Sequence, residues 1–193
     1  TENTTFYINH PSKNAVDKYY IYAYGNITGS TYDAGTAIRQ ADEQMGVVMD
    51  NHNHIVWERG GKFLSSTVSL MDKTTVSGNV SSMKACIHML LESAQVSEDA
   101  SRLKGASAMD ILKNYTDTPV NLTGCTVDEI LYFVSSGKPV IAMKNSTQAV
   151  LINAYTSSFV SWFDPSTGST TKMSPNGAEK FFENAGYIFI SYI

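Results

Sequence analysis

Residues 137–168 read GKPVIAMKNSTQAVLINAYTSSFVSWFDPSTG. Three apolar runs are separated by short polar stretches. Pro139–Met143 is an apolar run short enough to be a buried strand. The polar residues Lys144 to Thr147 then lead into a second apolar run, Ala149–Tyr155. A third, Phe159–Phe163, stops at Asp164-Pro165, where Asp-Pro-Ser-Thr-Gly is ordinary turn chemistry. The last two runs form a strand pair with Gln148 at its start and Asp164 at its end.

The flanking segments carry helix signals. Upstream, Thr126-Val-Asp-Glu129 is a capping box, in which a Thr hydroxyl and a Glu carboxylate each satisfy one orphan amide. Ile130, Leu131, Phe133 and Val134 extend that helix, and Gly137 ends it. Downstream, Lys172-Met-Ser-Pro leads into a helix over Asn176–Asn184 with Phe181 and Phe182 turned inward, and Tyr187–Tyr192 is a closing strand. Further upstream, Met83–Gln95 is a helix with Cys86, Met89, Leu90 and Ala94 as its apolar stripe. Ser107–Tyr115 is a shorter helix.

The first sixty residues form a separate pattern. Lys18–Tyr24 (KYYIYAY) is aromatic and β-branched and favours a strand. In Asp33–Gln44 the residues Ala34, Ala37, Ile38 and Ala41, with Met45 following, fall on one helical face, and Gly46 is the stop. Strands on either side of Asn51-His52-Asn53 make a hairpin. The expected order is βαββ, with Trp57 and the tyrosines supplying much of the core. The expected organisation is a βαββ module over residues 1–62, a linker or extra strand over 63–80, and a larger domain over 81–193.

The composition narrows the function classes. The chain has 193 residues and is 42% hydrophobic but only 17% charged, against about 25% in an average protein. Ser, Thr, Asn and Tyr fill the polar share, a bias commoner in exported proteins. A net charge of −4 with scattered Lys and Arg gives no basic stripe, which argues against nucleic acid. No apolar run approaches the roughly 18 residues of a membrane span. The polar opening TENTT lacks a signal-peptide pattern, so an exported form implies a leader or anchor absent from this sequence. Cys86 and Cys125 allow one disulfide or two buried thiols. His52 and His54, with Asp50 nearby, invite a metal reading, but zinc wants three or four ligands and no partner motif follows. The tip is read as an exposed polar hairpin, and no metal or cofactor is expected.

The order from the capping box onward resembles the C39-like (bacteriocin-leader-type) cysteine peptidases of the papain-like superfamily. In that family a helix is followed by "G-x-P-V-I", then "G-H-A-V-V-I-x-G-Y" and then "D-P-x-x-G". Gly137, Pro139, Val140, Ile141, Ala149, Val150, Ile152, Tyr155, Asp164, Pro165 and Gly168 match as they stand. The resemblance covers residues 81–193 and implies an α+β, papain-like domain with helices packed on an antiparallel sheet, preceded here by the small βαββ module.

A cysteine peptidase needs a thiolate at a helix N-terminus, a histidine beside it, and a group that orients the ring. Aligned with the family pattern, the nucleophile position is Ser82 and the histidine position is Gln148, while the orienting aspartate remains as Asp164. Val76–Ala85 contains no glutamine to serve the oxyanion. An amide accepts no proton near neutral pH, and a serine without a base is not activated. The alternative nucleophile is Cys86, but His88 lies on another face of that helix, and no pattern aims His10, His52 or His54 at it. The resemblance therefore implies a catalytically degenerate peptidase domain of an exported or cell-envelope bacterial protein. It would act in binding or scaffolding, with a peptide, protein or glycan as partner. The competing expectation is an active peptidase that uses Cys86.

Overall fold

The structure, a computed structural model, describes residues 18–193. The start of the first module, with His10, lies outside them. That module contains β1 (Tyr19–Ala23), β2 (Asn26–Thr31), α1 (Ala34–Glu43), β3 (Val47–Met49) and β4 (Ile55–Glu58), in one antiparallel sheet of order β2-β1-β3-β4. The order is thus ββαββ, one strand more than βαββ. The added strand, NITGST, is mostly exposed and carries a glycine in its interior, so it shows no alternation of apolar and polar residues. It forms because β1 offers a free edge, and a register shift at Ile21/Tyr22 accommodates it.

Asp33 caps α1 by accepting the Thr36 N–H at 2.8 Å. Ala34, Ala37, Ile38 and Ala41 are buried as their spacing predicts. Met45 is not: it is 75% exposed, because the chain turns there through φ +54°. Gly46 then donates its N–H to the Ala41 carbonyl at 2.7 Å and closes the helix. The glycine is required by close approach, since a Cβ there would lie 2.5 Å from the Tyr22 carbonyl oxygen.

The rest of the chain runs β5 (Ser66–Thr67), α2 (Ser82–Ser93), a 3-10 turn at Ala100–Arg102, α3 (Ala108–Leu112), β6 (Pro119–Asn121), α4 (Val127–Ser135), β7 (Val140–Met143), β8 (Ala149–Tyr155), β9 (Val160–Asp164), β10 (Ser169–Met173), α5 (Pro175–Asn184) and β11 (Phe189–Tyr192). These strands make an antiparallel sheet of order β10-β9-β8-β7-β11-β6, and β5 pairs with β8 beyond the residues that β7 pairs.

The unbroken apolar runs of β7 and β8 follow from burial on both faces. Val140, Ala142, Val150, Ile152 and Trp162 point into one core with α4 and α5, where Trp162 meets Phe181 and Phe182. Ile141, Ala149, Leu151 and Phe163 point into the other with α2 and α3. The first core continues without a break into the ββαββ module, through Ile21, Ile38, Val48 and Trp57. Trp57 Nε1 donates to the Glu129 carbonyl of α4 at 3.0 Å. Gly35 lets α1 approach the chain before α4, since a Cβ there would sit 2.8 Å from the Thr123 carbonyl oxygen. Cys86 and Cys125 are free, buried and in different cores. Among the described residues, no helix is long and apolar enough to cross a membrane.

Both halves of the capping box are present, each at 3.2 Å between Thr126 and Glu129. Glu129 is buried, and its Oε2 has no hydrogen-bond partner among the described residues. Burial pushes its pKa up, against the pull of the two Thr126 hydrogen bonds. A carboxyl raised in the folded state contributes stability that is complete below the unfolded pKa, about 4.3. That contribution is lost as pH rises through the folded value. Glu129→Gln keeps the box and removes the charge. Its stability relative to the unsubstituted protein should therefore rise as pH climbs above about 4.3, measured by urea unfolding; a pH-independent difference would contradict this.

Candidate functional site

α2 begins with Ser81 as its cap, whose hydroxyl accepts the Lys84 N–H. Ser82 is therefore the first helical residue. It is only 6% exposed, and its Oγ accepts the N–H of Ala149, the first residue of β8, at 3.0 Å. This one bond places the position aligned with the family's nucleophile beside the position aligned with its histidine.

Gln148 sits at the end of the β7–β8 turn and is half-buried. Asn145 organises that turn: its Oδ1 accepts the N–H groups of Thr147 and Gln148, at 3.0 and 2.8 Å. Its Nδ2 donates to Gln148 Oε1 at 2.9 Å, so the glutamine amide is held by its own turn. The Lys144 N–H closes the hairpin on the Gln148 carbonyl at 3.0 Å.

Asp164 ends β9 and is buried. One carboxylate oxygen accepts the Ser166 N–H at 2.9 Å and the other pairs with Lys144 Nζ at 2.5 Å. Its backbone carbonyl accepts the N–H groups of Thr167 and Gly168. Asp164 is thus both the turn residue its sequence context suggests and one half of a mostly buried ion pair, with the side chains 18% and 9% exposed for Lys144 and Asp164.

Ser82, Gln148 and Asp164 therefore lie at one end of the β7–β8–β9 layer, linked through Ala149 and Lys144. Cys86 lies one turn along α2 from Ser82 and is fully buried among Leu90, Leu151 and Phe163. Burial raises its pKa well above the ordinary thiol value, and the Asp164 carboxylate raises it further. His88 is engaged elsewhere, with the Glu98 carbonyl and Glu92. His52 and His54 stack at the exposed β3–β4 hairpin tip, where Asp50 accepts both their N–H groups and pairs with the His54 ring. Among the aromatic residues, Trp57, Trp162 and Tyr19 are core, whereas Tyr24 is 82% exposed.

Two features of the site were not legible in the sequence. One is Lys144, whose partner lies twenty residues away across two strands. The other is the segment before α2, which covers the Asp164 turn: the Val76 N–H donates to the Pro165 carbonyl at 3.0 Å, and Lys73 Nζ stands 5.9 Å from the centre of the Phe163 ring. Both depend on tertiary contacts that leave no local pattern.

Neither a protein-family model nor a curated protein matches the sequence. Among solved structures, the chain is similar to a Bacillus anthracis protein classed as a C39-like peptidase. The two superpose with a TM-score of 0.58 at 17% identity, over 67% of this chain and 97% of the other. The likeness is one of fold. The chain has the α+β fold of a C39-like peptidase.

Proposed function

We propose that the chain is a non-catalytic C39-like module that binds or scaffolds a peptide or glycan, and that it belongs to an exported or envelope-associated bacterial protein. The observation that carries this reading is the commitment of every aligned catalytic position to a structural partner. Ser82 holds the Ala149 amide, Gln148 is held by Asn145, and Asp164 is neutralised by Lys144. An orienting carboxylate works by accepting from an imidazole; here a lysine takes that place. The competing reading, with Cys86 as nucleophile, is disfavoured by its complete burial and by a thiol pKa that rises rather than falls. The Ser- and Thr-rich, charge-poor composition supports export.

A ligand at this end of the sheet would meet the rim: exposed Val76, the exposed turn residues Asn145, Ser146 and Thr147, and the half-buried Gln148. Titration of the isotopically labelled protein with short peptides, and separately with oligosaccharides, should move amide signals confined to residues 73–76, 144–148 and 164–168. Shifts elsewhere, or none with either class, would remove the binding reading. Peptide hydrolysis that disappears in Cys86→Ala would establish the active alternative.

The Lys144–Asp164 pair gives a second test. Removing one member leaves a buried charge without its partner, a change that costs roughly 3–5 kcal/mol. Lys144→Met should lie toward the lower end of that range, because the pair is not fully buried. The double variant Lys144→Met/Asp164→Asn should recover part of the loss in chemical denaturation. Strict additivity of the two substitutions would show that the pair is not coupled.

A further inference from the structure

His88 and Glu92 stand four residues apart on α2 and so face the same way. Asp72, from the segment between β5 and α2, reaches the same point. One ligating atom from each of the three lies within 4.8 Å of the others. The ring of His88 is oriented from behind: Nδ1 is 2.6 Å from the Glu98 carbonyl oxygen. A carbonyl can only accept, so Nδ1 carries the proton and donates it. Nε2 then faces Glu92 Oε1 at 3.4 Å. The His88 and Glu92 side chains are only 12% and 21% exposed, and Glu92 Oε2 is buried with no hydrogen-bond partner among the described residues.

A protonated His88 paired with Glu92 would satisfy one carboxylate oxygen. It would leave Glu92 Oε2 unpaired and the Asp72 carboxylate beside a second carboxylate. A divalent cation resolves both conditions. It takes the Nε2 lone pair and neutralises both acids, while the Nδ1–H···O=C bond fixes the tautomer, the usual arrangement behind a metal-ligating histidine. One imidazole and two carboxylates suit zinc better than calcium or magnesium, which prefer all-oxygen shells. Tetrahedral zinc places its donors about 3.3 Å apart, so His88 and Glu92 are already at that separation and Asp72 closes by a small movement of an exposed side chain.

We propose that Asp72, His88 and Glu92 form a zinc-class divalent metal site, although their spacing matches no metal motif in the sequence. Its effect is mechanical. The metal ties the segment bearing Asp72 to α2, and the same segment covers the Asp164 turn through Lys73 and Val76. Loading the site therefore holds that cover in place. The proposal stands independently of what the module binds.

Zinc binding to the full chain, measured by competition with a chromophoric chelator, should show one tight equivalent. Asp72→Asn alters an exposed residue and should fold normally by circular dichroism. It and Glu92→Gln should each weaken zinc by at least roughly tenfold, while His52→Ala and His54→Ala leave the affinity unchanged. Zinc should also slow proteolysis within residues 70–79 of the unsubstituted protein but not of Asp72→Asn. The absence of a tight equivalent overturns the site. So does affinity that survives both acidic substitutions, or affinity lost with His52→Ala or His54→Ala instead.

Discussion

A single hydrogen bond, from the Ala149 amide to the Ser82 hydroxyl, joins the first turn of α2 to the first residue of β8. Such a bond contributes only about 1 kcal/mol net, yet leaving a buried amide unsatisfied costs about 1–3 kcal/mol. It sets where α2 begins against the sheet, and the rest of the site follows. With Ser82 at the junction, Cys86 falls one turn deeper, against Leu151 and Phe163. His88 and Glu92 then fall toward the segment that carries Asp72. The same junction keeps Gln148 beside the helix start, with Asp164 one strand away.

Much of the fold was legible because both faces of the central sheet are buried. That condition writes itself into the sequence as unbroken apolar strands, PVIAM and AVLINAY, punctuated by polar turns. The capping box at Thr126 gave the start of α4 to the residue, since two side chains must be correct at fixed spacing for it to form. The turn role of Asp164 was legible because the amides of Ser166, Thr167 and Gly168 that it accepts from are local. By contrast β2, β6 and β10 went unread. β2 and β10 are exposed or polar along much of their length, and β6 is three residues with a single buried valine. Strands of that kind are created by a free edge, not by their own pattern. Met45 went wrong for a related reason: periodicity placed it on the buried face, but the helix had already unwound.

The candidate site divides along the same line. Ser82, Gln148 and Asp164 could be named from a resemblance in spacing, and the structure places them at one end of the sheet. Lys144 could not be named, because an ion pair across two strands has no local signature. Neither could the Asp72–His88–Glu92 group, since one of its members comes from a segment with no regular structure. What tertiary contact adds is a structural partner for each of the three: the Ala149 amide for Ser82, Asn145 for Gln148 and Lys144 for Asp164. The fold is that of a C39-like peptidase, and the interactions within the site run toward packing and turn geometry.

The proposed reading is that Ser82, Gln148 and Asp164 stand where the C39-like pattern has its catalytic groups, without its thiol and imidazole. It is tested most directly by restoring the groups. In Ser82→Cys/Gln148→His, the introduced thiol lies at the start of α2 beside an imidazole, where helix dipole and neighbouring base both favour the thiolate. The measurement is the pH dependence of its alkylation rate, read by mass spectrometry against Cys86 in the same molecule. The account predicts a midpoint below about 8.5 at position 82 while Cys86 stays unmodified. A midpoint above that value in a folded variant, or preferential alkylation of Cys86, would contradict it.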